Sequence, residues 1–261
     1  QNPYGQSAQN DNVKYSSPIQ IGSDTNWSTI GLGGNTTTVY ATKSNGTLWA
    51  WGRSDDGSLG NNTGPGQGDG VSSPVQVPGT TWNASTIRGG YDKVIAVKTD
   101  GTLFAWGNNT AGVLGVNDTV YRSSPTQIPG TTWTQSALGS SSLATKSDGT
   151  LWTWGNNRFG SLGLNEHGNS APNYNATSRS SPTQIPGTNW TTSVENGMSV
   201  AITSYNQAAG KTDGTLWIWG RGSDGEGGWN STAAFSSPVQ LGSGTDWRSI
   251  EVVVEHVSMH K

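Results

Sequence analysis

Residues 98–107 read Lys-Thr-Asp-Gly-Thr-Leu-Phe-Ala-Trp-Gly, and the same frame returns at 43–52, 146–155 and 211–220. An Asp-Gly or Asn-Gly pair between two runs of strand formers is a tight hairpin turn. In the strand past the turn, Leu48, Ala50 and Gly52 share one face while Thr47, Trp49 and Trp51 share the other, by the period of two. Apolar groups on both faces mean a strand sandwiched between neighbouring sheets. A unit of roughly 50 residues repeated in fixed register, rich in Gly and strand formers, is the mark of a propeller or β-solenoid.

Two further markers keep the same beat. Ser-Ser-Pro recurs at nearly constant spacing, with prolines at Pro18, Pro74, Pro125, Pro182 and Pro238. A tryptophan follows each one closely: Trp27, Trp82, Trp133, Trp190 and Trp247. With Trp51, Trp106, Trp154 and Trp219 of the Trp-Gly pairs, and Trp49, Trp152 and Trp217 two positions earlier, 12 of the 13 tryptophans stand in register. Trp229 alone stands outside it. The expectation is an all-β propeller, one domain over 1–261, with units at about 16–73, 72–124, 123–181 and 180–237. A partial blade combines 1–15 with 236–261.

The core is expected to be aromatic, since hydrophobic residues are only 31% of the chain but 13 of its 261 residues are tryptophan. Charged residues are 12% and the net charge is −3. The lysines are spread one per repeat, at Lys43, Lys98, Lys146 and Lys211, where they read as solvated residues ahead of the turn. No cationic stripe exists for a phosphate backbone, so nucleic acid is excluded as the expected partner. The chain has no cysteine, hence no disulfide staple and no thiolate metal site. It has no apolar run of the length that spans a bilayer. Asn-x-Ser/Thr sites occur throughout, several inside the repeat motif, and read as a product of composition. An uncharged, hydrogen-bonding surface of this kind suits the outside of a cell or a particle.

Ahead of the hairpin, Thr38–Lys43, Val94–Lys98 and Ser142–Lys146 read as inner strands. Glycines before them (Gly33, Gly34, Gly89, Gly90, Gly139) allow backbones to crowd. The segments at 74–77 and 125–128 read as an outer strand whose first residue is proline. Asp-Gly-Thr-Leu-Trp-x-Trp-Gly, then Asn-Asn-x-x-Gly-x-Leu-Gly (Asn108–Gly115, Asn156–Gly163), then Ser-Ser-Pro, resembles the regulator of chromosome condensation family of β-propellers. The resemblance spans nearly the whole chain and implies blades of about four strands. The Ser-Ser-Pro-x-Gln-Ile-Pro-Gly-Thr-x-Trp variant (Ser123–Trp133, Ser180–Trp190) is similar to repeats of marine phage virion proteins and of secreted bacterial proteins. The family's exchange activity does not carry over on residues: no position here matches an exchange surface. The chain starts and stops in mid-blade. Either a fifth blade closes from both termini, or this is a piece of a longer or partner-completed propeller, with the tail at 251–256 as a pairing edge.

Because repeated residues build the scaffold, specificity is expected where repeats differ. Of the four connections from a Trp-Gly tryptophan to the next Ser-Ser-Pro proline, Trp51 to Pro74 and Trp154 to Pro182 are longer than Trp106 to Pro125 and Trp219 to Pro238. That marks two extended loops. The loop at 61–71 offers Asn61, Asn62 and Asp69. The loop at 164–179 offers Glu166, His167, Tyr174 and Arg179. The stretch from Trp190 to Lys211 is also longer than its counterparts Trp27 to Lys43, Trp82 to Lys98 and Trp133 to Lys146. That places an insertion at Ser204–Gly210 with Tyr205 and Asn206 as contacts. Trp229 is the tryptophan expected at the surface. Asp55, Asp56, Asp224 and Glu226 sit among Gly and Ser, without the apolar pocket that splits the pKa values of paired catalytic carboxylates or the ligand spacing of a calcium loop. His167, His256 and His260 have no metal spacing. No cofactor, catalytic residue or membrane insertion is expected. The expected function is a non-enzymatic structural or recognition module, extracellular or on a virion, with protein partners, self-assembly through blade edges, or surface glycans. The alternatives are a secreted polysaccharide- or protein-binding propeller and an intracellular exchange-factor-like one.

Overall fold

The computed structural model describes residues 2–32, 37–54, 56–63, 70–90, 92–166, 177–192, 200–223, 225, 227, 228, 230–247, 249–253 and 256–260. It is the all-β, bladed fold of a propeller: four antiparallel sheets, each with four strands in chain order. The first holds β1 (Trp27–Leu32), β2 (Thr38–Lys43), β3 (Leu48–Gly52) and β4 (Val71–Val77). The second holds β5 (Arg88–Gly89), β6 (Lys93–Val97), β7 (Leu103–Gly107) and β8 (Arg122–Gln127). The third holds β9 (Trp133–Leu138), β10 (Ser141–Lys146), β11 (Leu151–Gly155) and β12 (Arg179–Ile185). The fourth holds β13 (Val200–Ile202), β14 (Asn206–Gly210), β15 (Leu216–Gly220) and β16 (Phe235–Gln240), and a hairpin of β17 (Ser249–Val253) and β18 (His256–His260) follows. The chain divides into two compact units: 1–109 with 120–127, and 110–119 with 128–261.

The hairpin motif folds as its residues require. Gly46, Gly101, Gly149 and Gly214 take φ of +77° to +83° in the turns. Asp100 accepts from the amide of Thr102 at 2.9 Å and from its hydroxyl at 2.6 Å, and Asp148 and Asp213 do the same for Thr150 and Thr215. The threonine then accepts the indole N–H of the first tryptophan, as Trp152 to Thr150 at 2.8 Å and Trp217 to Thr215 at 2.9 Å. The strand that follows is buried on both faces, as expected.

The lysines ahead of the turn are not merely solvated. Lys146 Nζ lies 4.3 Å from the Trp152 ring and 4.6 Å from Trp133, and Lys43, Lys98 and Lys211 cap equivalent ring pairs. Those rings meet edge to face, Trp133 and Trp152 at 6.1 Å and 75°. The electron-rich faces so exposed attract the ammonium, worth about 0.5–1 kcal/mol at a surface.

Ser-Ser-Pro closes the sheet before it instead of opening the next one. Leu48 pairs with Val77 and Gly52 with Val71. The register shifts between Ala50 and Gly52, opposite Ser72, Ser73 and Pro74. Proline is therefore inside the edge strand, not at its start, tolerated because it sits in the bulge and owes no ladder hydrogen bond. The same shift recurs opposite Ser-Ser-Pro in the other three sheets.

That bulge turns the serines toward a loop. Asn62 N–H donates to the Ser123 carbonyl at 2.8 Å and Ser124 Oγ to Asn62 Oδ1 at 3.3 Å. Asn10 with Ser72 and Ser73, Asn117 with Ser180 and Ser181, and Asn165 with Ser236 and Ser237 repeat both bonds. Beside this clasp the buried indole of the Trp-Gly tryptophan donates to a loop carbonyl: Trp51 to Gln6, Trp106 to Ser58, Trp154 to Val113 and Trp219 to Ser161, at 2.8–3.0 Å. A Cβ on Gly60, Gly115 or Gly163 would lie 2.6–2.7 Å from the indole nitrogen, and φ there is near +70°; both facts demand glycine. In the first unit Leu59 joins Tyr40, Leu48, Val77, Trp82, Val94 and Trp106 in one core. In the second, Leu143, Leu151 and Ile185 pack on Trp190, Ile202 and Trp219.

Two outcomes follow for stability. Trp219→Phe, which keeps a ring but strands the Ser161 carbonyl, and Gly163→Ala each lower the unfolding free energy by about 2–4 kcal/mol. Trp152→Phe, at the register position held by Phe104, costs under about 1.5 kcal/mol. Urea unfolding checks this, and equal costs at Trp219 and Trp152 would assign the energy to ring area instead of the clasp. On the acid side, the hydroxyl and amide of the threonine two positions on hold the carboxyls of Asp100, Asp148 and Asp213 below their ordinary 3.8. A depressed carboxyl contributes stability that is present above its unfolded pKa and lost as pH falls through the folded one. The triple Asp→Asn variant, which copies the natural Asn45, should therefore lose less thermal stability between about pH 4 and pH 2 than the parent; parallel melting curves would refute the assignment.

Candidate functional site

The turn joining the first two strands of a sheet and the loop joining the last two emerge at the same end, opposite the Asp-Gly hairpins. At that end of the second unit the residues departing from the repeat converge. Arg158 and Phe159 stand where the loop at 108–115 has Thr110 and Ala111. Arg221 follows the Trp219-Gly220 pair, and Tyr205 lies in the turn before β14. The Phe159 and Tyr205 rings meet edge to face at 5.2 Å and 84°. Arg158 lies 4.8 Å from the Phe159 centroid and 5.8 Å from Tyr205. Arg221 lies 5.9 and 5.7 Å from the same two rings. All four side chains are half-buried. Phe159 takes φ +63°, an outlier for a bulky residue. A lesser version occurs in the first unit, where Arg53 lies 5.6 Å from the Tyr4 ring.

The long loop begins beside this cluster. Asn157, fully buried, accepts from the Leu162 amide at 2.9 Å and donates to the Glu166 carbonyl and Thr177 Oγ1, both at 3.0 Å. Glu166 Oε2 and Arg179 Nη2 meet at 2.6 Å, so these two candidates close the base of the loop against each other. His167, Tyr174, Asp69 and Trp229 lie outside the described residues, as do Asp55, Asp224 and Glu226. Asn61 accepts from the amide and hydroxyl of Thr63.

Asn62 belongs to the clasp, with φ +68°. The sequence carried the signal for this: an asparagine stands just past the end of every such loop, at Asn10, Asn62, Asn117, Asn165 and Asn230. All five take positive φ.

The insertion in the fourth repeat is elsewhere than Ser204–Gly210. Asn206 pairs with Gly220 as Ser141 pairs with Gly155, so 206–210 is the ordinary second strand and the extra length falls between Trp190 and Val200. Asn206 is buried and projects no contact, whereas Tyr205 does reach the cluster.

A sequence profile described as regulator of chromosome condensation (RCC1) repeat matches residues 100–144 and 148–200. These are RCC1 repeats. Among solved structures the chain is similar to human WBSCR16, with a TM-score of 0.72, 20% identity, all of this chain and 65% of that one. It is also similar to Prp20p of Saccharomyces cerevisiae, with a TM-score of 0.66, 19% identity, 90% of this chain and 55% of that one. A further yeast structure, Kap60 bound to RCC1 (Prp20), gives a TM-score of 0.66 at 19% identity, over 86% of this chain and 51% of that one. The chain thus spans about half to two thirds of these RCC1-like propellers, and the likeness is one of fold. No curated protein sequence matches it.

Elsewhere the described residues offer little chemistry. No three His, Cys, Asp or Glu side chains among them gather as a metal cage, and no described helix is long and apolar enough to cross a membrane. Burial holds the Tyr40 phenol far above its ordinary range, where it serves as a donor to the Ser58 carbonyl at 2.8 Å. For the clasp, Asn117→Ala should lower stability by about 1–2 kcal/mol and Asn117→Gly by about half that, since Gly restores the positive φ but not the acceptor. Equal losses in thermal melts would show that backbone strain alone sets the cost.

Proposed function

We propose that this RCC1-repeat chain is a non-catalytic recognition or structural module that rigidly displays its Trp-Gly-loop end to protein partners, outside cells or on a virus particle. One observation carries the reading: repeat residues are consumed by turns, ring stacks and clasps, while Arg158, Phe159, Tyr205 and Arg221, which depart from the repeat, come together on one end. Arg and aromatic residues are what protein interfaces concentrate. The low charge and the abundance of Asn, Ser, Thr and Gly support the location.

For self-assembly, the edge strand β1 supplies a surface. Ile30 is 65% exposed on it, beside an apolar cleft of about 400 Å³ that includes Ile19, Ile21, Trp27 and Trp51. A second reading, an intracellular partner-binding propeller, draws on Prp20p, whose structure is described with its binding properties to Gsp1p and histones.

Fractionation of the producing material with an antibody to the chain separates these readings. Recovery with sedimenting particles or in the external fluid is expected. Recovery only in the cell interior, with accelerated nucleotide release from a small GTPase, would overturn the proposal in favour of the second reading.

A further inference from the structure

We propose that the first sheet accepts a strand from another polypeptide: an extended Thr-Leu-Trp-x-Trp-Gly segment that pairs with residues 19–21 and puts its leucine into the apolar cleft over Trp27 and Trp51. The inference rests on the reading of this chain as a module for protein partners and names the segment that one such partner presents.

The repeats themselves show what belongs over a tryptophan pair. In the first unit, Trp82 and Trp106 are covered by Leu48 and Val77 of the sheet before them, and these two residues are ladder partners. In the second unit, Trp190 and Trp219 are covered by Leu151 and Ile185, again ladder partners. Each ring pair is thus roofed by a leucine from the strand after the hairpin turn and a β-branched residue from the Ser-Ser-Pro strand beside it. Trp27 and Trp51 form the same ring pair, edge to face at 6.1 Å. Ile21, which holds the place of Val77 and Ile185 in Ser-Ser-Pro-Ile-Gln-Ile, packs against them. Among the described residues no leucine joins that cluster. In its place is the cleft of about 400 Å³, bounded by Ile19, Ile21, Trp27, Ile30, Ala41 and Trp51.

Exposure agrees. Ile30 pairs with Ala41, two residues before Lys43, as Val200 pairs with Ala209, two residues before Lys211. Val200 is 8% exposed and Ile30 65%. Ser72, Ser73, Pro74 and Val75 are half-buried in β4, whereas Ser16, Ser17, Pro18 and Ile19 are exposed and belong to no strand. The end of that segment nevertheless has the form of a paired one. Gln20 Nε2 donates to the Gly22 carbonyl at 3.1 Å, as Gln240 Nε2, in the paired strand β16, does to Gly242 at 3.1 Å. Gly22 and Gly242 take φ of +58° and +61°. In the fourth sheet the Leu241 amide donates to the Leu216 carbonyl at 2.8 Å, so the Ile21 amide is the donor placed to meet the leucine of an added strand. Main-chain bonds along 19–21 supply affinity and the cleft selects the side chain, the two parts of recognition by strand addition.

This chain has no such strand to spare. Its own copies, β3, β7, β11 and β15, are each paired on both edges. A second copy of the folded chain therefore has none to insert, and the donor is a different polypeptide.

The test titrates the ¹⁵N-labelled full chain with the unlabelled peptide acetyl-Lys-Ser-Asp-Gly-Thr-Leu-Trp-Thr-Trp-Gly-amide, a copy of residues 146–155, and with its Leu151→Asp counterpart. The first is expected to shift the Ile19 and Ile21 amides and the Trp27 indole N–H, and to slow exchange of the Ile21 amide by about tenfold or more as it enters a ladder. The second should bind at least about tenfold more weakly, because a carboxylate does not enter an apolar cleft, a comparison that needs no variant of the chain. Ile30→Asp, at an exposed side chain, is expected to weaken binding similarly, while Val13→Asp, at a residue 55% exposed and outside the cleft, leaves it unchanged. Equal binding of the two peptides, full affinity in Ile30→Asp, or shifts confined to other sheets would each overturn the proposal. Self-association that Ile30→Asp abolishes, with no response to either peptide, would assign the face to a second copy and overturn it too. A chain that fractionates with particles yet ignores the leucine peptide would sink this inference and leave the proposed function standing. Uptake of that peptide by a chain found only in the cell interior would do the reverse.

Discussion

A loop carbonyl without water must be met by a donor, and in this chain the donor is an indole. Gln6, Ser58, Val113 and Ser161 each present such a carbonyl, and Trp51, Trp106, Trp154 and Trp219 answer it. The rest of the repeat follows from that bond. The indole needs a neighbour without a side chain, hence Gly60, Gly115 and Gly163. The loop must then reverse, hence the asparagine at positive φ just beyond, and its amide must be satisfied, hence the bulged Ser-Ser-Pro that offers a carbonyl and a hydroxyl. An isolated sheet of four short strands buries too little to stand alone, so stability depends on these sheet-to-loop contacts as much as on the ladders.

Most of this scaffold was legible in the sequence because it is periodic. The hairpin, the doubly buried strand after it and the aromatic core could be read from spacing alone. What misled was phase and direction. Ser-Ser-Pro looks like an opening because it precedes the next tryptophan, but strand pairing is decided by the ladder with the previous Trp-Gly strand, which no spacing reveals. Likewise Asn62 looked like a variable loop residue, although the recurrence of asparagine at 10, 117, 165 and 230 marks it as structural. The lysines carry a similar lesson: an ammonium ahead of a turn reads as solvated until two rings are seen beneath it.

The candidate site was less legible, for a physical reason. Tyr205 was singled out through an insertion placed too late in the repeat, and its neighbours Arg158, Phe159 and Arg221 lie in other repeats or past the next Trp-Gly pair. They come together only because turns and loops of neighbouring sheets share one end. Glu166 and Arg179, chosen for chemical variety, satisfy each other. In a chain with so few charges, Arg158 and Arg221 stand out from the repeat because both lie against the Phe159 and Tyr205 rings.

The account stands on the clasp, and native-state hydrogen exchange reads the clasp directly. The indole N–H signals of Trp51, Trp106, Trp154 and Trp219, with the backbone amides of Asn10, Asn62, Asn117 and Asn165, are predicted to exchange only through unfolding of the unit that holds them, as slowly as the amides of β2, β6, β10 and β14. Exchange of these donors at the rate of exposed loop amides, while the strands stay protected, would contradict the claim that the loops hold the sheets.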